Sequence, residues 1–245
     1  MRSLSDMELL GAWERGHTEM AAAFNVLAIL AAAIPTHDVP ELARLSVGRR
    51  DALLFELRES IFGSHMRGIT RCAACGHELG IAVRAQDFRP AGDGRQPERF
   101  TISDAGYELT FRLLNTLDLA ELDSRDVIEI ARTKLLRKVI LSASLHEEAI
   151  AIMQVPDRLL TMLEEKMAEL EPEADVELAT VCDYCSSKTS ALLDIATFLW
   201  TEVDRWAIRT LREIHTLAEA YGWRESDILA ISPWRRRCYL EMVGA

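Results

Sequence analysis

Apolar positions along the chain recur with two periods, and the change from one to the other divides it. From Ser5 to Ile34 the spacing is helical, with Ser5 as an N-cap and Asp6 and Glu8 suited to the positive end of the helix dipole. Pro35 and Pro40 break that pattern. A second helix is predicted from Val47 to Phe62, with Leu53, Leu54, Leu57 and Ile61 at helical spacing and Gly63 as its stop. From His65 to Asn115 the signal turns to β. Short β-prone runs flank "RCAACGHEL", "RFTI" and "YELTFRLL" alternate as strands do, and "RPAGDGRQPE" is a loop rich in Gly and Pro. Three or four strands are expected there.

From Leu117 to Glu171 the helical period returns. One helix is capped by Ser124 and carries Val127, Ile130, Ala131 and Leu135 on one face. Another lies between Pro156 and Pro172. The acidic run from Glu164 to Glu177 reads as a solvated helix end and linker. A strand follows in "VELATV", then the longest helix, from Asp194 to Tyr221, stopped by Gly222. "SDIL" makes a short helical turn. Ser232 and Pro233 supply the N-cap and first residue of a final helix. The pattern predicts an α+β fold, mainly α with a small zinc-ribbon-like β unit. It parses into an N-terminal helical segment (1–64), a first cysteine knuckle with the β unit (65–115), an inserted helical segment (116–175), and a second knuckle with the C-terminal helical block (176–245). Together they are expected to make one compact domain clasped by zinc.

The candidate chemistry is cysteine. Cys72-x-x-Cys75 has a counterpart in Cys182-x-x-Cys185, and Phe88 and Phe198 each stand 13 residues beyond the second cysteine of their pair, as in an internal repeat. A C-x-x-C turn presents two thiolates to one ion, and two such turns facing each other close a tetrahedral site. Residues 76 to 181, 106 in all, separate the turns, far more than the roughly 15 to 20 of common ribbons. The preferred reading is a shared structural Zn2+ on Cys72, Cys75, Cys182 and Cys185. A redox pair would need a C-x-x-C leading straight into a helix, and two unrelated pairs of buried thiols remain open. His77 is better suited to an exposed turn than to a ligand position, and Cys238 to the core of the last helix.

Composition narrows the partners. A net charge of −11 opposes a general nucleic-acid surface. The longest apolar run, Met20 to Pro35, is interrupted by Asn25 and falls short of the roughly 20 residues of a membrane span. No basic leader precedes it, so a soluble, cytoplasmic protein with reduced thiols is expected. None of the six histidines lies in an H-E-x-x-H pattern, and there is no G-x-S-x-G, P-loop or G-x-G-x-x-G. No enzyme is therefore expected.

The C-terminal stretch "FLWTEVDRWAIRTLREIHTLAEAYGWRESDILAISPWRRRCYLEMV" resembles the signature of the T-even-type phage baseplate hub assembly chaperone family. "LLGAWERG" and "LSVGRRDALLFELRESIFG" followed by "RCAACG" look like the same family's opening, and the likeness is weakest from Leu117 to Leu170. The resemblance implies a non-enzymatic factor that helps build the hub of a contractile phage tail or injection system. It implies a protein partner such as a hub, spike or tape-measure component, with no nucleic acid or membrane. Trp223, Trp234, Arg235, Arg236 and Tyr239 are of the types favoured at protein interfaces and are the candidate partner-binding residues. The alternative is a zinc-ribbon nucleic-acid binder or transcription accessory protein. Only Arg67, Arg71, Arg84 and Lys188 flank the knuckles as basic residues.

Overall fold

The structure, a computed structural model, describes residues 1–18, 20–88, 97–123 and 125–244. The helix expected from Ser5 to Ile34 is two helices, α1 (Asp6–Thr18) and α2 (Asn25–Ala33). Ser5 does cap the first. Its Oγ accepts from the Glu8 amide at 3.3 Å while the Glu8 carboxylate accepts from the Ser5 amide at 2.9 Å. The expected Ser124 cap lies outside the described residues. Next come α3 (Val39–Ala43) and α4 (Val47–Phe62), the latter with the predicted bounds. Gly63 ends it with φ at +84°, and its amide donates back to the Glu59 carbonyl.

The β region is built differently from expectation. β1 (His65–Arg71) and β2 (Glu78–Arg84) form a hairpin of their own. β3 (Phe100–Asp104) and β4 (Tyr107–Phe111) instead join a second sheet. After α5 (Thr116–Ala120) and α6 (Ile128–Val139), that sheet is completed by β5 (Ile140–Leu145) and β6 (Glu148–Ala149), in the order β3-β4-β5-β6, all antiparallel. The segment read as wholly helical therefore contains two strands. In "VILSASL" the apolar spacing of α6 runs on without a proline or glycine stop, so only the pairing of β5 with β4 marks the change. α7 (Asp157–Leu170) follows, then the hairpin β7 (Glu177–Val181) and β8 (Lys188–Leu192), and finally α8 (Ile195–Tyr221), α9 (Glu225–Ala230) and α10 (Pro233–Met242). The class is mainly α with small sheets, α+β, as the pattern predicts. Among the described residues no helix is long and apolar enough to cross a membrane.

The chain parts into two compact units, 1–39 with 196–245, and 40–195. The first is helical. Leu10 of α1, Ala207, Ile214 and Leu217 of α8 and Ile228 of α9 form its core. Trp13 Nε1 donates to Asp204 Oδ1 at 2.9 Å, and the His17 ring packs between Trp13 and Trp200. In the second unit α6 and α7 cover one face of the four-stranded sheet. Leu109 and Phe111 of β4 meet Leu136 and Val139 of α6 and Leu159, Leu160 and Leu163 of α7. α7 places its leucines three and four residues apart, so they share one stripe.

The acidic run contains one exception to the solvated reading. Glu171 is buried, and its carboxylate accepts from Ser46 Oγ and from the Gly48 amide at 3.2 Å, capping the first turn of α4. Gly48 is needed there, because a Cβ on it would lie 2.7 Å from the Glu171 Cβ. On the same helix Arg50 Nε binds Asp51 Oδ1 at 2.7 Å and its Nη1 donates to Thr116 Oγ1 at 3.0 Å. Burial, helped by the carboxylates of Asp194 and Glu171, outweighs Arg50 and pushes the Asp51 carboxyl up to about 6. A carboxyl raised in the fold contributes its stability below its unfolded value and loses it as pH rises through the folded one. Asp51→Asn is accordingly expected to flatten the fall in stability between about pH 4 and 6, a change on the order of 2–3 kcal/mol. Urea titrations followed by circular dichroism at a series of pH values check this. An unaltered pH slope in the variant would count against it.

Candidate metal centre

Each C-x-x-C sits at the turn of a hairpin, and the two turns are built alike. In the first, the Cys72 amide donates to the His77 carbonyl at 2.9 Å and the Gly76 amide to the Cys72 carbonyl at 2.8 Å. In the second, the Cys182 amide donates to the Ser187 carbonyl at 2.9 Å and the Ser186 amide to the Cys182 carbonyl at 2.8 Å. Both turns need a left-handed residue after the second cysteine, Gly76 with φ of 75° and Ser186 with φ of 59°. Glycine takes that conformation freely and serine takes it at a cost. The correspondence holds at one spacing of 110 residues, Cys72 with Cys182 and Cys75 with Cys185. It extends to Leu79 with Thr189 and Ala85 with Ile195, all four of which are buried. A helix precedes each hairpin, α4 or α7, and a helical turn starts after each, at Ala85 or Ile195. The sequence repeat is thus a structural one.

The two turns face each other across the chain. All four sulfurs lie within 4.8 Å of one another, so Cys72, Cys75, Cys182 and Cys185 could hold a single metal ion. Cys72 Sγ is 3.6 Å from Cys185 Sγ, and Cys75 Sγ is 3.7 Å from Cys182 Sγ. Zinc–sulfur bonds of about 2.3 Å in tetrahedral array put the sulfurs roughly 3.8 Å apart, which these separations match. Cys72 and Cys182 are buried against Leu79, while Cys75 and Cys185 lie toward the surface.

Hydrogen bonds to the sulfurs complete the shell. The side chain and amide of Ser187, then the Cys75 thiol, hold Cys185 down at about 6. The His77 amide likewise favours the Cys75 thiolate, but desolvation and the Cys185, Cys72 and Cys182 sulfurs together push that thiol up to about 12. Four thiols this close cannot all ionise unless a cation takes the place of their protons. The turns also touch directly. The Ala73 amide donates to Thr189 Oγ1 at 3.4 Å, and the His77 ring stacks on Tyr184 at 5.2 Å. His77 Nε2 lies 3.7 Å from Asp183 Oδ1, so this histidine braces the second turn and is no part of the sulfur cluster. Ser187, Thr189 and Tyr184 carry no mark in the sequence, although the 110-residue repeat points to their neighbourhood.

The residues singled out near the C-terminus divide. Trp234 is 74% exposed, and Arg235 is exposed beside it. Trp223 stacks on Tyr221 at 4.6 Å and meets Tyr239 edge-on at 5.0 Å, so both pack within the helical unit. Arg236 is only 2% exposed and is ion-paired, which removes it from any contact surface. Cys238 is partly buried on α10 and is not in the metal cluster. No protein-family profile, curated protein or solved structure matches the chain.

Proposed function

We propose that this protein is a non-enzymatic assembly factor for the baseplate hub of a contractile, phage-tail-like injection machine, with one structural zinc on its four cysteines. The observation that carries the zinc reading is the closed set of four sulfurs. A four-thiolate site suits zinc and leaves it no open position for water or substrate. Its task in this reading is to hold two hairpins together across 106 intervening residues. The assembly role is supported by the C-terminal signature and by exposed Trp234 and Arg235, side chains of the kind that anchor protein partners.

Deletion of the gene is expected to give absent or defective particles while the hub, spike and tape-measure components stay at normal levels. The tagged protein should co-purify with one of those components. Normal particles in the deletion strain, seen by electron microscopy, would end the assembly reading. The zinc reading stands or falls separately, on metal content.

A further inference from the structure

We infer that the outer face of the β1–β2 hairpin is a docking site for a short acidic segment of a partner protein. In sequence Arg67, Arg71 and Arg84 are scattered around the first knuckle. The hairpin register gathers them. His65 pairs with Arg84, Arg67 with Ala82, Ile69 with Gly80 and Arg71 with Glu78, so residues at every second position share one face. All eight residues of that face are exposed.

The charges on the face are not balanced from within. Arg71 reaches Glu78 at 3.3 Å. Among the described residues neither Arg67 nor Arg84 makes a salt bridge. Asp87, which lines the same hollow, accepts from the Arg84 backbone amide at 3.2 Å. Arg67 and Arg84 are diagonal cross-strand neighbours, roughly 7–8 Å apart, close enough for one carboxylate-bearing segment to reach both. A hollow of about 310 Å³ is lined by His65, Arg67, Ala82, Arg84 and Asp87. Beside it Ile69 is 76% exposed, and a Cβ at Gly80 across from it would meet nothing within 4 Å. The face therefore offers two free guanidinium groups next to an open apolar spot, on a chain whose net charge is −11.

That combination selects a partner carrying carboxylates next to an aliphatic side chain. Arginine forks bind carboxylates two bonds at a time, and Ile69 is covered by the aliphatic residue. Nucleic acid fits less well, because a chain of net charge −11 repels a phosphate backbone and the face's one ring is the His65 imidazole. The second hairpin has no such face. Its corresponding positions are Glu177, Ala179 and Val181 on β7 with Lys188, Ser190 and Leu192 on β8. The inference rests on the assembly-factor reading for the class of partner, but it is tested apart from particle assembly.

The probe is a fluorescein-labelled, strand-length peptide with glutamate and leucine taking turns at every second position and serine between them (Glu-Ser-Leu-Ser-Glu-Ser-Leu), so that both side-chain types share one face; it is titrated with the full-length protein at low salt and read by anisotropy. Saturable binding is expected, weakened roughly ten-fold or more by Arg67→Glu with Arg84→Glu and several-fold by Ile69→Ser or by raised salt. These positions are exposed, so metal content and circular dichroism should stay as in the wild type. No saturable binding, or binding that the double variant leaves intact, overturns the inference. So does an oligothymidylate that binds more tightly than the peptide and is released by the same variant, since the face would then serve nucleic acid. If particles fail to form in the deletion strain but the peptide does not bind, only the docking site is lost.

Discussion

Protein purified without chelators is expected to carry about one zinc per chain by mass spectrometry, and Cys182→Ser to carry almost none. Cys238→Ser, which lies outside the sulfur cluster, should keep its metal. The expected effect on stability is large. Structural zinc sites contribute about 10–16 kcal/mol of binding free energy, against the roughly 5–15 kcal/mol that holds a whole domain folded. Among the described residues the buried apolar cluster that joins the hairpins is small. The core they share is Leu79 with the two inner cysteines, and β1–β2 and β7–β8 are two-stranded sheets, which are marginal on their own. A cross-link that closes a loop of about 100 residues also removes some 4–5 kcal/mol of freedom from the unfolded chain. Chelation should therefore lower the melting temperature by at least about 10 °C, and the loss should reverse when zinc is returned. Wild-type protein free of metal, or melting unchanged by a strong chelator, would remove zinc from the account.

Replacing Arg236 with methionine is expected to destabilise the helical unit by about 3 kcal/mol. The guanidinium of Arg236 is buried. Its Nη2 lies 2.6 Å from Asp6 Oδ2 of α1, and its Nε lies 3.4 Å from Glu213 Oε2 of α8 without making a hydrogen bond. One side chain of α10 thus neutralises one carboxylate on each of two other helices. Methionine retains most of the volume but leaves both carboxylates facing an apolar stem. Asp6 and Glu213 keep about a quarter of their side-chain surface in water, so the loss should fall at the low end of that for buried pairs. The readout is direct, because Trp13, Trp200, Trp206, Trp223 and Trp234, all five tryptophans, lie in this unit. A urea titration followed by tryptophan fluorescence should show an earlier midpoint for Arg236→Met. Arg237→Met, at the exposed neighbouring position, should change stability by no more than about 0.5 kcal/mol. Equal midpoints for Arg236→Met and wild type would show that the two ion pairs are dispensable.

Arg236 also marks a limit of reading from sequence. In "SPWRRRCYL" three arginines follow one another, and no local pattern tells which one turns inward. A helix turns each successive residue by about 100°, so one of three consecutive positions must face differently from the others. Which one is inward depends on where α10 lies against its neighbours. The same holds for Glu171, one of seven acidic residues between Glu164 and Glu177, which is buried only because it caps α4 from more than a hundred residues away. Strands β5 and β6 were hidden for a related reason. β5 continues the apolar run of α6, and its identity as a strand rests on pairing with β4.

What the amino-acid sequence determined by itself is what short-range chemistry decides. The N-caps at Ser5 and Ser232, the stops at Gly63 and Gly222, the bounds of α4 and the two C-x-x-C turns each depend on a few neighbouring residues, and each is found where the pattern puts it. The two matching C-x-x-C turns pointed to a shared metal site, despite the unusually long stretch between them. Only the tertiary structure decided that the four sulfurs meet, that Arg236 and Glu171 are buried and that Arg67 and Arg84 share a face with Ile69. Those outcomes depend on contacts between residues far apart in the chain or on strand register, and a one-residue slip in register would send a whole strand's side chains to the opposite face.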